Sequence, residues 1–263
     1  MLSLLLPLLL VAASFAQSAR SFDSQAEQKI LQLVNRERHS RGLGTLTFDE
    51  RLQRAARKHS ALMASVGEVA HDFNGEPKLA LRLGEQAVRY DASGENVART
   101  SGPERAHTAL MNSPGHRANI LDSQFNSIGI GVVDTPDGIY VTQDFARRLP
   151  NATVDEAEQR VATNLNRLRR TIGMPTWDRV PAPELRKHAC EMASHDKLNP
   201  RAGLFSTKVS NSVAFTSIDL AQVPDSLDRL KVSPSSAFSV GACYQASTTY
   251  ETPVFWIIVV TYF

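Results

Sequence analysis

Four short runs in the first half of the chain concentrate the side chains able to bind or transform something. They are Asn35-Arg-Glu-Arg38, His71-Asp72-Phe73, Gly94-Glu95-Asn96 and Ser113-Pro-Gly-His116-Arg117. Imidazole nitrogen and carboxylate oxygen are the usual zinc ligands, so His71, His116 and Glu95 could converge on a divalent metal. They are spread over 46 residues with no HExxH run and no local Cys pair, so convergence would be the work of the fold. A hydrogen-bonded structural cluster uses the same residue types. Ser113 precedes His116 by three residues, but a nucleophile needs the base within reach and a third group orienting that base. Ser-Pro-Gly is equally good turn chemistry. The hydrolytic alternative is Glu95 as general base toward water, with His71 and His116 holding a metal or polarising the substrate. That role requires burial to lift the Glu95 pKa toward the working pH.

The elements that must position these residues repeat. Glu27 to Leu46 reads EQKILQLVNRERHSRGLGTL, and Glu158 to Trp177, shifted by 131, reads EQRVATNLNRLRRTIGMPTW. Seven pairs are identical, among them Asn35/Asn166, Arg36/Arg167, Arg38/Arg169 and Gly42/Gly173; unrelated stretches of this length share about one or two residues. The reading is a duplication. Each copy opens with an amphipathic helix behind capping-box spacing, Ser24 with Glu27 and Thr153 with Glu156, and stops at a glycine. A second helix carries Leu52, Ala55, Ala56, His59 and Met63 on one stripe, and its counterpart carries Leu185, Ala189 and Met192. Both halves end in a hairpin: Ile128–Val132 with Ile139–Gln143, and Val240–Tyr244 with Phe255–Val260. The last strand is continuously apolar, as expected of one covered on both faces. Helices first and strands later argue for α+β sandwiches rather than a doubly wound sheet, with residues 147–153 as the linker.

Composition narrows the function classes. The 263 residues hold 29 Lys+Arg against 27 Asp+Glu, and neither half has an excess of more than one charge. A nucleic-acid partner is not expected, since such binding is driven mainly by counterion release from a Lys/Arg surface. Residues 1–16, MLSLLLPLLLVAASFA, are uncharged, too short to span a bilayer, and end in small residues, which reads as a signal peptide, with an uncleaved membrane anchor as the alternative. The mature chain is then secreted or periplasmic, with no integral membrane segment. In that compartment Cys190 and Cys243 could form a disulfide; two buried thiols are the alternative.

The four runs, in this order, resemble the CAP superfamily of cysteine-rich secretory, antigen 5 and pathogenesis-related 1 proteins, also called SCP domains. The bacterial secreted branch looks closest. The resemblance runs over residues 24–146 and includes Leu33-Val-Asn35-Arg-Glu-Arg38, His59-Ser60, Ala70-His71, Gly94-Glu95-Asn96-Val-Ala98, Ser113-Pro-Gly-His116-Arg117-Ala-Asn119-Ile-Leu121 and Tyr140-Val-Thr-Gln143-Asp-Phe145. It implies a three-layer α-β-α sandwich with a surface cleft. Many members carry two His and two acids in that cleft, able to hold a divalent metal such as zinc. His71, His116 and Glu95 match three of the four, while Ser113 stands where the second acid would be, and Glu104 is the nearest substitute. Asn35, Arg38, Asn96, Arg117 and Gln143 read as structural motif residues, with Asn96 capping a turn. In the second half, Leu230 to Ser236 lines up with Leu110 to His116, and Thr216 to Ile218 takes the place of the Gly-Glu-Asn run.

The expected organisation is a signal peptide (1–16), a CAP domain with the site (17–146), a linker (147–153) and a degenerate copy lacking the site (154–263). The expected function is a secreted, non-enzymatic module that binds a lipid, glycan or protein through the His71, Glu95, His116 and Ser113 cleft. The residues alone establish no cofactor, and zinc or another divalent metal is the one the resemblance implies. The alternative is a hydrolase of peptide or cell-envelope material.

Overall fold

The computed structural model describes residues 21–201, 209–220, 224, 227–250 and 252–263; the expected signal peptide lies outside the described residues. The first half builds α1 (Ser24–Ser40), β1 (Thr47–Phe48), α2 (Glu50–Val66), α3 (Leu79–Glu85), β2 (Tyr90–Thr100), α4 (Pro103–Asn112), α5 (Pro114–Leu121), β3 (Ser127–Thr135) and β4 (Gly138–Arg148). The second builds α6 (Val154–Thr171), β5 (Asp178–Arg179), α7 (Pro183–Ser194), β6 (Val209–Ser217), α8 (Asp228–Lys231), β7 (Ala237–Ser247) and β8 (Thr252–Tyr262).

The first sheet runs β1-β3-β4-β2, with β1 parallel to β3 and the other pairs antiparallel. Strand side chains alternate between faces, and both faces are covered. Ile128, Ile130, Val132, Val141 and Phe145 pack with residues of α1, α4 and α5. On the other face Leu52, Ala55 and Met63 of α2 pack with Leu83, Val133, Tyr140 and Ala146. This is an α-β-α sandwich. The small stripe on α2 lets its backbone lie on the strand: a Cβ at Gly131 would stand 2.4 Å from the Ala56 carbonyl carbon. Among the described residues no helix is long and apolar enough to cross a membrane.

The second sheet has the same order and sense, β5-β7-β8-β6, and the halves share contacts as well as topology. Asn35 donates to the Leu46 carbonyl and accepts its N–H, as Asn166 does with Trp177. Arg38 is buried and donates to the carbonyls of Gly44, Ile120, Asp122 and Phe125; Arg169 does the same to Pro175, Lys231 and Ser233. Buried Glu27 pairs with Arg57 and accepts the Val132 N–H, as Glu158 does with Arg186 and Ala242. Gly241 lies under α7, where a Cβ would stand 2.3 Å from the Leu185 carbonyl carbon.

Several local expectations are corrected. Asp23, not Ser24, caps α1, its carboxylate accepting from the N–H groups of Gln25 and Ala26; Glu27 is drawn inward by Arg57 instead of closing a capping box. Thr153 and Glu156 do form one. Arg147 and Arg148 belong to β4 rather than to a linker, because their guanidiniums pair with Asp91 and Asp49 and keep the strand going. The match of Leu230–Ser236 to Leu110–His116 fails. Ser236 accepts the Asp178 N–H as Asn126 accepts that of Thr47, and Ser233 meets Arg169 as Asp122 meets Arg38. Cys190 on α7 and Cys243 on β7 are joined in a disulfide, with Cα atoms 5.1 Å apart.

Candidate functional site

β2 is the edge strand of the first sheet, and the site forms where both helical layers reach round it. Register sets Glu95 opposite Asp144 and Asn96 opposite Gln143, so the two acids share one face and the two amides the other. Asn96 therefore lies mid-strand and caps no turn. On the amide face its side chain donates to Gln143 Oε1 and the His116 carbonyl, both at 3.0 Å, and accepts from Asn119. That network fixes α5, and with it His116, against the strand.

On the acid face Glu95 is the hub. His71, in the loop after α2, places Nδ1 2.8 Å from Glu95 Oε1. Arg82 on α3 donates to Glu95 Oε2 at 2.6 Å and reaches Glu76 at 3.4 Å. His59 on α2 is fully buried; its Nδ1 contacts Glu76 at 2.8 Å and its Nε2 lies 2.9 Å from the Ala70 carbonyl, steadying the loop that presents His71. The His71 side chain is 52% exposed while that of Glu95 is 4% exposed. Its ring centre is 6.1 Å from that of His116. The result is a buried charge cluster under two imidazoles that face the surface from opposite layers.

The electrostatics separate these groups. Burial alone would raise the Glu95 carboxyl, but the His71 hydrogen bond and the charges of Arg82, His59 and His71 outweigh it and hold it below the usual range. His71 is raised, chiefly by its bond to Glu95. His116 is lowered by burial and by the neighbouring His71 charge. Asp144, entirely buried, is raised well above the usual range by desolvation and by the Glu95 charge. Neither Asp144 oxygen has a hydrogen-bond partner among the described residues, so burial favours its neutral, protonated form.

The structure brings His71, Glu95 and His116 together and sets further residues beneath them. Arg82 and Glu76 carry no local pattern in the sequence; Asp144 lies inside the Tyr140–Phe145 run and His59 inside the His59-Ser60 run. Ser113 sits at the joint of α4 and α5, where its carbonyl accepts the Arg117 N–H. Among the described residues no hydroxyl or thiol bonds to His71 or His116. Glu104 is a surface residue paired with Lys29, away from the cluster. Arg117 is exposed and donates to the Met111 carbonyl.

Residues 31–145, which contain this whole constellation, match the family model of the cysteine-rich secretory protein family, CAP. This chain carries a CAP domain. Two curated relatives from Bacillus subtilis (strain 168) are similar to it. The uncharacterized protein YkwD is 36% identical over 129 residues, 49% of this chain and 49% of its own length. The uncharacterized membrane protein YlbC is 33% identical over 131 residues, 49% of this chain and 36% of its own. The chain thus matches about half the length of the first and about a third of the second. Among solved structures, an extracellular protein containing a SCP domain from Bacillus anthracis str. Ames is 33% identical over 47% of this chain and 40% of that one, with TM-score 0.43.

The CAP domain's donor set suits a divalent metal poorly. Both Glu95 oxygens are engaged, one by His71 and one by a guanidinium, and His71 spends Nδ1 on that bond. Among the described residues no group of three His, Cys, Asp or Glu is arranged to hold a metal ion. The residues present do not fit one. Glu95 is also poorly set as a general base, since its pKa lies below the usual carboxylate range instead of near neutrality. In the second half the pairing register puts Ser212 opposite Val260 where Glu95 faces Asp144; the equivalent of the Gly-Glu-Asn run is therefore displaced from Thr216–Ile218. His188 repeats the His59 anchor, its Nε2 2.8 Å from the Asn199 carbonyl.

Proposed function

We propose that this protein is a secreted or periplasmic, non-enzymatic binding module whose contact site is the His71–His116 pair above the Glu95 cluster. One observation carries the reading. His71 is pinned through Nδ1, so Nε2 is its remaining polar atom, and a second imidazole of opposite protonation tendency lies beside it. His71, raised, acts as a donor near neutrality, and His116, lowered, offers an acceptor. A donor ring and an acceptor ring with centres 6.1 Å apart, over a cluster whose acids and cations balance, suit the hydroxyl and amide groups of a glycan or peptide better than a phosphate. The Cys190–Cys243 bridge and the uncharged N-terminal run support an oxidising compartment. Residues 154–263 are read as a second CAP-like copy that kept the fold and lost the site, supported by the repeated strand order and by the paired contacts of Asn35/Asn166, Arg38/Arg169 and Glu27/Glu158.

Isothermal titration of chito-oligosaccharides, muropeptides, a peptide library and phosphatidylcholine vesicles against wild type and His71→Ala tests it. Binding of one class that weakens at least tenfold in a folded His71→Ala protein supports the reading. Binding indifferent to His71, or no binding to any class, overturns it.

A further inference from the structure

We infer that Arg82 is the site's resident cation, its guanidinium holding Glu95 and Glu76 together where a divalent ion would otherwise sit, and that the second half keeps it there. The first part rests on geometry. Arg82 is buried, its Nη2 is 2.6 Å from Glu95 and its Nη1 3.4 Å from Glu76. Two buried carboxylates need a cation between them, and a planar guanidinium supplies one without an ion to capture. A second cation at Glu95 would meet that charge at close range.

The second part rests on α3. At 100° per residue, Arg82 and Gly84 point to nearly opposite sides of the helix. Arg82 faces the site, while Gly84 abuts the second half: a Cβ there would stand 2.9 Å from Pro253 Cγ and 3.7 Å from Ala246 Cβ. Arg89, just beyond the helix, is also buried against the second half. Its guanidinium donates to the Ile218 carbonyl and lies over the rings of Phe255 and Tyr244. The siteless half is thus the seat on which α3 rests, and only a residue as small as Gly84 brings Arg82 within reach of Glu95. This holds whatever ligand the cleft takes.

Zinc titration of the full chain by calorimetry, with folding followed by circular dichroism, tests the inference. Wild type is expected to give no saturable uptake at micromolar zinc. Arg82→Gln is expected to gain a site, and the double variant with His71→Ala to lose it again. Gly84→Leu, which displaces α3 without removing a charge, is expected to gain zinc binding too and serves alone if Arg82→Gln does not fold. Saturable zinc binding by wild type that depends on His71 overturns the inference, as does a folded Arg82→Gln protein without zinc binding. A folded Gly84→Leu protein without zinc binding overturns the role of the second half.

Discussion

Asp144 is the residue on which the cluster's energetics turn. It is sealed behind Glu95 with no donor of its own, and desolvation raises its pKa. The folded protein therefore binds that proton more tightly than the unfolded chain, and stability must fall as pH rises above the ordinary carboxylate range toward the folded value. Asp144→Asn is close to isosteric with the protonated acid. It is expected to unfold at a higher temperature than wild type at pH 7 and at the same temperature near pH 3, by thermal melts across that range; a loss of stability at pH 7 would mean that Asp144 is ionised and paired. His71 has the opposite dependence. Its raised pKa makes its pairing with Glu95 fully present below about pH 6.5, the unfolded value, and lost as pH rises through the folded one. His71→Ala should cost stability at pH 6 and little at pH 9, with a small amplitude because half of the ring faces water. Neither residue's role was readable from the sequence beyond the match of His71 to a motif, because pairings such as Glu95 with Arg82 depend on a cross-strand register and a helix placed by distant packing.

At the scale of elements, the chain signals its helices and hairpins and conceals its edge strands. α1, α2, α6 and α7 show apolar residues at helical steps, β8 is a long apolar run, and β3, β4 and β7 carry shorter apolar segments. β2 reads YDASGENVART, with no apolar alternation, because one of its faces holds the buried acid and the other the amide network around Asn96. β6 is similarly polar, with Ser and Asn at half its first positions. The helix–loop ties are strong by contrast. Arg38→Ala would strand the buried carbonyls of Ile120 and Phe125 at about 1–3 kcal/mol per lost partner, so a total of about 3 kcal/mol is expected in urea unfolding. Arg169→Ala should show a comparable loss in the second half. Gly131→Ala drives a Cβ into the α2 backbone and is expected to cost about 3 kcal/mol or more. A neutral outcome there would mean that α2 can lift from β3.

For the whole molecule, two sandwiches of one topology have divided the work: one carries the polar cluster, the other a disulfide and the surface on which α3 rests. Closing a 53-residue separation, the bridge is expected to contribute about 4 kcal/mol at most. Reduction, or Cys190→Ala with Cys243→Ala, should lower the melting temperature of the second half while ring signals of His71 and His116 stay in place. The likeness of the two halves is legible at their helical openings, where sequence identity is high, and illegible around Ser233 and Ser236, where it appears only through similar hydrogen bonds. The proposed contact surface of the whole molecule is the His71–His116 pair. It is tested most directly by following the histidine side-chain resonances of the full chain by ¹H–¹⁵N correlation during titration with muropeptides, chito-oligosaccharides and peptides. The account predicts that a binding ligand shifts His71 and His116 together, leaves His188 and His195 unmoved, and loses its effect in His71→Ala. A ligand that binds with both rings unshifted, or that shifts the second half instead, would contradict it.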